Sequence, residues 1–293
     1  MKEQASPSKN IFSAYIELTK PRITILILIS TALGYYLGQA NATNNINFIY
    51  TLIGTGLLTA GAGTINHYLE KDLDKLMDRT RHRPIPEGII SPITALYFGL
   101  FQSIIGLFIL LVAVNTLTAL LGLITILLYL FVYTPMKKIT WLNTTIGAIP
   151  GAMPALGGWA ASANSLDPNA WILFAILFLW QHPHFYAIAL MCKNDYKKAG
   201  FQMLPVIEEK NFRTIRQIIW HAFLLVPVSL FYVVTGVLGD FYFWGALVLG
   251  LGYLFSAMPL LKQSSFDNAK FLLKTSIVYL PSLLVIIIID LNR

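Results

Sequence analysis

The chain is poor in charge. Only 12% of its 293 residues are Asp, Glu, Lys or Arg, about half the roughly 25% of a soluble globular domain. Its single cysteine, Cys192, cannot form a disulfide within the chain, which excludes a disulfide scaffold. Its 20 glycines and 14 prolines are near the usual frequency, which excludes low-complexity sequence. Because 56% of the residues are hydrophobic, the composition predicts an all-α, polytopic membrane protein.

Nine apolar runs are long enough to cross a bilayer, which takes about 17–25 residues of helix. They lie at 23–40, 47–69, 92–114, 116–133, 143–163, 170–192, 216–238, 241–261 and 271–289. Only Asn115 separates the third run from the fourth. The fifth run is rich in glycine and proline, so we expect a helix that is kinked or closely packed. We expect one membrane domain over residues 1–293, preceded by a short N-terminal segment over 1–20 and without a cleavable signal peptide.

The basic residues indicate the orientation of the nine predicted spans. If the N-terminus is cytoplasmic, every Lys and Arg except Arg293 falls on the cytoplasmic side, as the positive-inside rule requires. All acidic residues except Asp167, Asp240 and Asp290 fall on the same side. We therefore predict a cytoplasmic N-terminus, an outside C-terminus and chemistry at the cytoplasmic face. The basic composition needs no nucleic-acid partner, because it is explained by this sorting.

A first acidic cluster follows the second run. Asn66, Glu70 and Asp74 are four residues apart, and four residues turn a helix by about 400°, so the three side chains share one face. Oxygen ligands of this kind suit Mg²⁺, which commonly binds substrate phosphates together with one or two carboxylates. The basic residues from Arg79 to Arg83 could contact the same anion. The competing interpretation is a solvated helix end.

Three further segments carry polar residues at or near the membrane. A second acid–base cluster, Lys193–Lys198, contains Asp195 and follows the sixth run; it could also be an ordinary interfacial loop. Lys137 and Lys138 either bind diphosphate or anchor a helix at the cytoplasmic face. His182 and His184 lie inside an apolar run, where they either face a cavity or serve as packing residues.

At these residues the sequence resembles the UbiA-type intramembrane prenyltransferases. Asn66, Glu70 and Asp74, followed by Met77-x-Arg79-Thr80-x-x-Arg83-Pro84, are similar to the first aspartate-rich motif of that family. More narrowly, the chain resembles the heme-farnesylating branch, over about residues 15–290. The segments that carry this narrower resemblance are Lys20-Pro21-Arg22, Tyr133-Thr134 through Lys137, Asn143-x-x-Ile146-Gly147, Gly151-Ala152-x-Pro154, Trp180-Gln181-x-Pro183-His184-Phe185 and Asp195-Tyr196-x-x-Ala199-Gly200-x-x-Met203-Leu204-Pro205-Val206. Glu70 stands where the family usually has Asp.

The resemblance implies a nine-helix bundle around a central cavity that opens to the cytoplasm and to lipid. It implies an enzyme of a bacterial cytoplasmic (inner) membrane that takes farnesyl diphosphate and heme b as substrates and Mg²⁺ as cofactor. The metal would bridge the diphosphate to Asn66, Glu70, Asp74 and Asp195. The expected substrate-binding residues are Lys71, Arg79, Arg83, Tyr133, Lys137, Lys138, Asn143, Lys193, His182 and His184, with Lys20 and Arg22 as alternative partners of the heme propionates.

The activity that the resemblance implies is transfer of a farnesyl group to a vinyl group of heme b, with addition of water, to give heme O. The sequence does not decide whether heme A synthase is a direct partner. Prenylation of an aromatic acceptor in quinone synthesis is the nearest rival, because the first motif is common to both branches. A secondary transporter and a purely structural membrane subunit are rival interpretations from different functional classes.

Overall fold

A computed structural model describes residues 10–38 and 45–291 of the chain, and within them it contains α-helices and two π-helical turns but no strands. The first-half helices are α1 (Ile11–Leu18), α2 (Pro21–Gly38), α3 (Asn45–Leu69), α4 (Lys71–Asp74), α5 (Pro92–Ile109), α6 (Thr116–Leu127), α7 (Thr134–Ile139) and α8 (Asn143–Ala163). The second-half helices are α9 (Pro168–Met191), α10 (Lys193–Lys198), α11 (Leu204–Ile207), α12 (Phe212–Val234), α13 (Asp240–Ala257), α14 (Pro259–Lys262) and α15 (Phe266–Leu291).

Eight helical segments in the described part of the chain are long and apolar enough to cross a membrane. They are Pro21–Gly38, Ile46–Leu69, Pro92–Val114, Thr116–Ile139, Pro168–Met191, Phe212–Val234, Asp240–Lys262 and Phe266–Leu291. The prediction of an all-α, multi-pass membrane protein is thereby confirmed. The predicted fifth run forms α8, a ninth long helix that is less apolar. The count of nine crossings and the orientation of the termini stay predictions. Parts of the predicted N-terminal segment (1–9) and of the first run (39–40), as well as Arg293, lie outside the described residues.

The third and fourth runs do separate at Asn115. This residue has an extended backbone (φ −165°, ψ 163°) and follows the π-helical turn Leu110–Val114 that ends α5. Its side-chain oxygen accepts a hydrogen bond from the Thr118 amide, and its side-chain nitrogen donates to the Ala160 carbonyl, both at 2.8 Å. One asparagine therefore caps α6 and joins it to α8.

The glycine-rich helix α8 packs closely against α2, as its sequence predicts. A Cβ atom added at Gly158 would overlap the carbonyl oxygen of Thr31, and one added at Gly34 would overlap the carbonyl oxygen of Ala155. Such close backbone approach is what small residues allow between membrane helices. It fixes the position of α2 and of the residue that precedes it, Lys20.

The two halves of the bundle are filled differently. The main hydrophobic core lies where α8, α9, α12, α13 and α15 meet, and it includes five tyrosines that are at most 2% exposed: Tyr186, Tyr232, Tyr242, Tyr253 and Tyr279. By contrast, α2, α3, α6, α8 and α9 enclose a cavity of about 470 Å³. This cavity contains the candidate functional site.

Candidate active site

The cavity has a polar end and an apolar remainder. Its polar lining comes from the start of α2, the ends of α3 and α6–α7, and the loop after α4: Lys20, Asn66, Glu70, Asp74, Arg79, Arg83, Tyr129, Tyr133 and Lys137. Farther along the same helices the lining becomes aliphatic and includes Ile27, Leu58, Leu121 and Ile126. The cavity can therefore accept a molecule with a charged head and a long apolar tail.

Asn66, Glu70 and Asp74 lie on one face, as their spacing predicts. The helical hydrogen bonds continue across the junction of α3 and α4: the Glu70 amide donates to the Asn66 carbonyl at 2.9 Å, and the Asp74 amide donates to the Glu70 carbonyl at 2.8 Å. All three residues line the cavity. Their exposed fractions are only 1%, 5% and 0%, respectively, so their polar atoms require partners within the protein.

Each of the three side chains has a cation as its partner. Lys20 Nζ donates to Asn66 Oδ1 at 2.6 Å, and Lys137 Nζ donates to Glu70 Oε1 at 2.6 Å. Arg83 Nη1 lies 2.8 Å from both carboxylate oxygens of Asp74. These contacts compensate carboxylates that would otherwise be buried without a counter-charge.

The cluster shifts the protonation of its members. Burial, with a smaller contribution from the Arg83 cation, lowers the pKa of Lys20 to about 7. Burial also acts to raise the pKa of Glu70, but the cations of Lys137, Lys20 and Arg83 outweigh it, and the pKa falls below its ordinary value. Glu70 is therefore an anion at neutral pH and remains able to ligate a metal.

The donor set at the polar end fits Mg²⁺. It consists of one amide oxygen and two carboxylates on one face, and Mg²⁺ binds proteins through one or two carboxylates while keeping water and substrate oxygens. In the described part of the chain, no group of three or more His, Cys, Asp or Glu side chains could by itself hold a metal ion. Mg²⁺ held by this set would complete its coordination with water and substrate oxygens.

Two further predicted residues, Arg79 and Tyr133, also line the cavity. Arg79 is exposed at the polar end. The Tyr133 ring lies under the Lys137 ammonium, with 4.8 Å between Nζ and the ring centroid. Such a cation–π contact stabilises the position of the ammonium.

The second acidic cluster meets the first through the backbone. The carboxylate of Asp195 accepts hydrogen bonds from the amides of Asp78 at 3.3 Å and Arg79 at 3.2 Å. Lys198 Nζ lies 2.5 Å from the Asp78 carboxylate. The two clusters therefore lie side by side. Asp195 holds the turn that follows the first cluster and is not among the residues that line the cavity.

Four other predicted substrate-binding residues also lie away from the cavity lining. Lys71 is 3.6 Å from Asp72, and Lys138 is exposed. The Asn143 side chain donates to the Thr140 and Gln202 carbonyls at 2.6 and 3.1 Å. Lys193 donates to the Glu208 carbonyl at 3.0 Å. The contacts of Lys71, Asn143 and Lys193 hold a loop or a helix end, and Lys138 faces outward, so the cavity itself is lined by other residues.

The two predicted histidines point in different directions, as residues two apart on a helix must. His184 lines the cavity, stacks on Trp180 with 5.0 Å between ring centroids, and has Nδ1 2.7 Å from Ser276 Oγ. His182 instead stacks on His221 at 3.8 Å and lies 3.2 Å from Thr145 Oγ1. Only His184 is positioned to contact a molecule in the cavity.

The structure brings three polar residues to the site that were not among its expected metal or diphosphate ligands. Tyr129 lines the cavity, with its hydroxyl 3.4 Å from Lys20 Nζ. His67 is buried, with Nδ1 3.9 Å from the Asp74 carboxylate. Lys20 was expected to contact heme propionates, but it lies at the candidate metal ligands. The local sequence shows only that Lys20 precedes Pro21 at the start of a predicted span, which does not indicate a contact with Asn66.

Comparison with known proteins shows the family. Residues 27–278 match the UbiA prenyltransferase family. The chain is 46% identical to a protoheme IX farnesyltransferase of Solibacter usitatus over 285 residues, covering 94% of this chain and 98% of that protein. It is 37% identical to a protoheme IX farnesyltransferase of Aquifex aeolicus over 294 residues, covering 100% of both chains.

Solved structures share the fold at lower identity. A digeranylgeranylglyceryl phosphate synthase aligns with a TM-score of 0.81 at 19% identity, over 97% of this chain and 99% of its own. A UbiA homologue from Archaeoglobus fulgidus, bound to GPP and Mg²⁺, aligns with a TM-score of 0.71 at 17% identity, over 96% of this chain and 100% of its own. From the matched family and the full-length relatives together, the chain belongs to the UbiA prenyltransferase family, among its protoheme IX farnesyltransferases.

Proposed function

We propose that the protein transfers the farnesyl group of farnesyl diphosphate to a vinyl group of heme b, at the cytoplasmic side of a bacterial cytoplasmic membrane. Water adds in the same reaction, and the products are heme O and diphosphate. The observation that carries the proposal is the cavity, whose polar end combines Asn66, Glu70 and Asp74 with cationic side chains and whose remainder is apolar. The names of the full-length relatives support the choice of substrates.

The polar end would bind the diphosphate. Asn66, Glu70 and Asp74 would hold Mg²⁺; a UbiA homologue from A. fulgidus binds Mg²⁺ together with GPP. The bound metal would supply positive charge beside the leaving diphosphate. Arg79, Arg83 and Lys137 line the same end and would donate hydrogen bonds to phosphate oxygens. Their positive charge stabilises the negative charge that develops as the allylic C–O bond breaks.

The apolar remainder would hold the farnesyl chain and exclude water. When the C–O bond breaks, its electron pair leaves with the diphosphate and an allylic cation remains. The terminal carbon of the heme vinyl group supplies the electrons for the new C–C bond, and water then adds at the adjacent carbon and loses a proton. Aliphatic residues such as Leu58 and Leu121 keep competing water from the allylic cation.

The acceptor would lie on the side of the cavity formed by α9. His184 and Trp180 line this side and stack on each other, and they present a flat aromatic surface to a planar macrocycle. We therefore assign His184, rather than His182, to the contact with heme. Replacement of His184 by Ala removes part of this aromatic surface and should weaken heme binding, measured from the Soret absorbance. The same replacement at His182 should leave the spectrum of the bound heme unchanged.

A product assay tests the proposal. Membranes that contain the protein receive heme b, farnesyl diphosphate and Mg²⁺, with EDTA in a parallel sample. We expect a more retained heme that is heavier by farnesyl plus water and is absent with EDTA. If intact, membrane-embedded protein gives no new heme but prenylates an aromatic acceptor, then the heme assignment is wrong.

A further inference from the structure

Cations of the chain occupy the positions around all three candidate metal ligands. Lys20 contacts Asn66 and Lys137 contacts Glu70, each at 2.6 Å. Arg83 contacts both oxygens of Asp74 at 2.8 Å. At least one oxygen of each candidate metal ligand is therefore already bound to the protein's own ammonium and guanidinium groups.

These cations come from separate parts of the chain. Lys20 precedes α2, Lys137 lies in α7, and Arg83 lies in the loop after α4. Long, flexible side chains carry all three charged groups, so the groups can change partner without movement of the helices. Ammonium and guanidinium groups are also the side-chain groups that bind phosphate oxygens. Each cation therefore has two possible partners, a protein oxygen in the free enzyme and a phosphate oxygen in the complex.

We propose that the cations of Lys20, Lys137 and Arg83 exchange partners when substrate binds; this proposal rests on the function proposed above. In the free enzyme they bind Asn66, Glu70 and Asp74. In the complex they bind the diphosphate and leave those ligands to the divalent cation. The metal therefore enters together with the diphosphate and does not bind first to an empty site.

Electrostatics explains why the two ligands must bind together. Arg79, Arg83 and Lys137 outnumber the carboxylates of Glu70 and Asp74 at the polar end, even without Lys20. A divalent cation that entered alone would therefore find no net negative charge to bind to at this end of the cavity, where charges interact strongly. The diphosphate supplies the negative charge that the displaced cations need. Such coupling is reciprocal, so each ligand increases the affinity for the other.

Partner exchange predicts that Lys137→Gln changes the affinities for metal and substrate in opposite directions. The substitution frees Glu70 and removes a positive charge, so Mn²⁺ alone should bind about tenfold more tightly. It also removes a phosphate contact, so farnesyl thiodiphosphate at saturating Mn²⁺ should bind about tenfold more weakly. A residue with only a structural role would lower both affinities.

The experiment uses the full-length protein in lipid nanodiscs. Electron paramagnetic resonance measures Mn²⁺ binding without diphosphate, and equilibrium dialysis measures binding of the radiolabelled thio analogue. Lys75→Gln is the matched control, because it makes the same change one residue after Asp74 at a side chain that is 55% exposed. It should change neither affinity. Arg83→Gln is a second test variant and should reproduce the opposite changes through Asp74.

Either of two results would overturn the proposal. One is wild-type protein that binds Mn²⁺ as tightly without diphosphate as it does with saturating farnesyl thiodiphosphate. The other is a folded Lys137→Gln or Arg83→Gln variant in which both affinities fall. Circular dichroism would show whether each variant is folded. The wild-type measurement does not depend on the folding of any variant. Because no heme is present and no product forms, an error in the proposed acceptor would appear only in the product assay.

Discussion

The charged segments that follow α3 and α9 have similar compositions but different surroundings. After α3, Glu70 and Asp74 are almost completely buried and line the cavity. After α9, the Asp195 carboxylate accepts hydrogen bonds from backbone amides of Asp78 and Arg79. Acidic and basic residues at a helix end therefore do not by themselves define a ligand site. Burial against a cavity distinguishes the segment that can bind substrate from the segment that supports it.

The supporting role of the second segment follows from which turn it holds. Asp78 and Arg79 lie between Asp74 and Arg83, whose Nη1 contacts both oxygens of the Asp74 carboxylate. By fixing this turn, Asp195 limits where the Arg83 side chain can reach. The first segment thus supplies the polar groups of the cavity, and the second determines the path of the loop that carries one of them.

The largest expected effect is at Asp74. Asp74→Asn removes the charge of a buried candidate metal ligand and should lower kcat/KM for farnesyl diphosphate by about 10²- to 10³-fold, the range for loss of one strong electrostatic group. Asp72→Asn is the control, because Asp72 is only two residues away and its side chain is 72% exposed. Steady-state product assays of both variants check the prediction. Similar rates for the two would remove Asp74 from the site.

A smaller effect is expected at Asp195. Asp195→Asn keeps an oxygen acceptor for only one of the two backbone amides, and loss of a residue that positions a ligand usually lowers activity about 10- to 100-fold. We expect activity to fall by about 10-fold, the lower end of this range, and KM for farnesyl diphosphate to rise. A loss as large as that of Asp74→Asn would instead indicate the direct metal contact that the sequence predicts.

Lys193 should affect stability more than activity. Its ammonium donates to the Glu208 carbonyl at 3.0 Å and to Asn211 Oδ1 at 3.3 Å, so it joins α10 to the loop before α12. Lys193→Gln should decrease stability by about 1 kcal/mol, the usual contribution of such a hydrogen bond, and leave KM for farnesyl diphosphate unchanged. Thermal unfolding in detergent and the product assay measure the two quantities. A several-fold rise in KM would restore Lys193 as a phosphate contact.

The smallest effect is expected at Lys198. A hydrogen bond from Lys198 lowers the pKa of the Asp78 carboxyl, but both side chains are at least half exposed. Exposed ion pairs contribute little because water and salt screen them. Lys198→Gln should therefore change turnover by less than about twofold. If turnover instead falls like that of Asp195→Asn, the side-chain contact holds the turn as firmly as the backbone contacts do.

Helix geometry made the first segment predictable. The shared face of Asn66, Glu70 and Asp74 follows from residue spacing alone, because four residues complete just over one helical turn. The break at Asn115 and the close packing of α8 were likewise predictable, since a capping residue and small residues act through local backbone geometry.

Contacts between distant segments were not predictable from one sequence. Lys20 and Asn66 are 46 residues apart, and Lys137 and Glu70 are 67 apart. Nothing local indicates that these side chains meet. The Asp195 carboxylate illustrates the same limit, because its sequence position indicates a helix end but not the atoms that it contacts. The direction of each side chain is set by packing of the whole bundle.

The backbone of Lys20 has a consequence for protein engineering. This residue has a φ of 50°, in the left-handed region that glycine and asparagine adopt more readily, and the conformation costs a side-chain-bearing residue about 1 kcal/mol. A search for stabilising substitutions would therefore replace Lys20 with Gly. The replacement would relieve the backbone cost but leave the buried Asn66 oxygen without its ammonium partner, so backbone conformation and side-chain contacts favour different residues at this position.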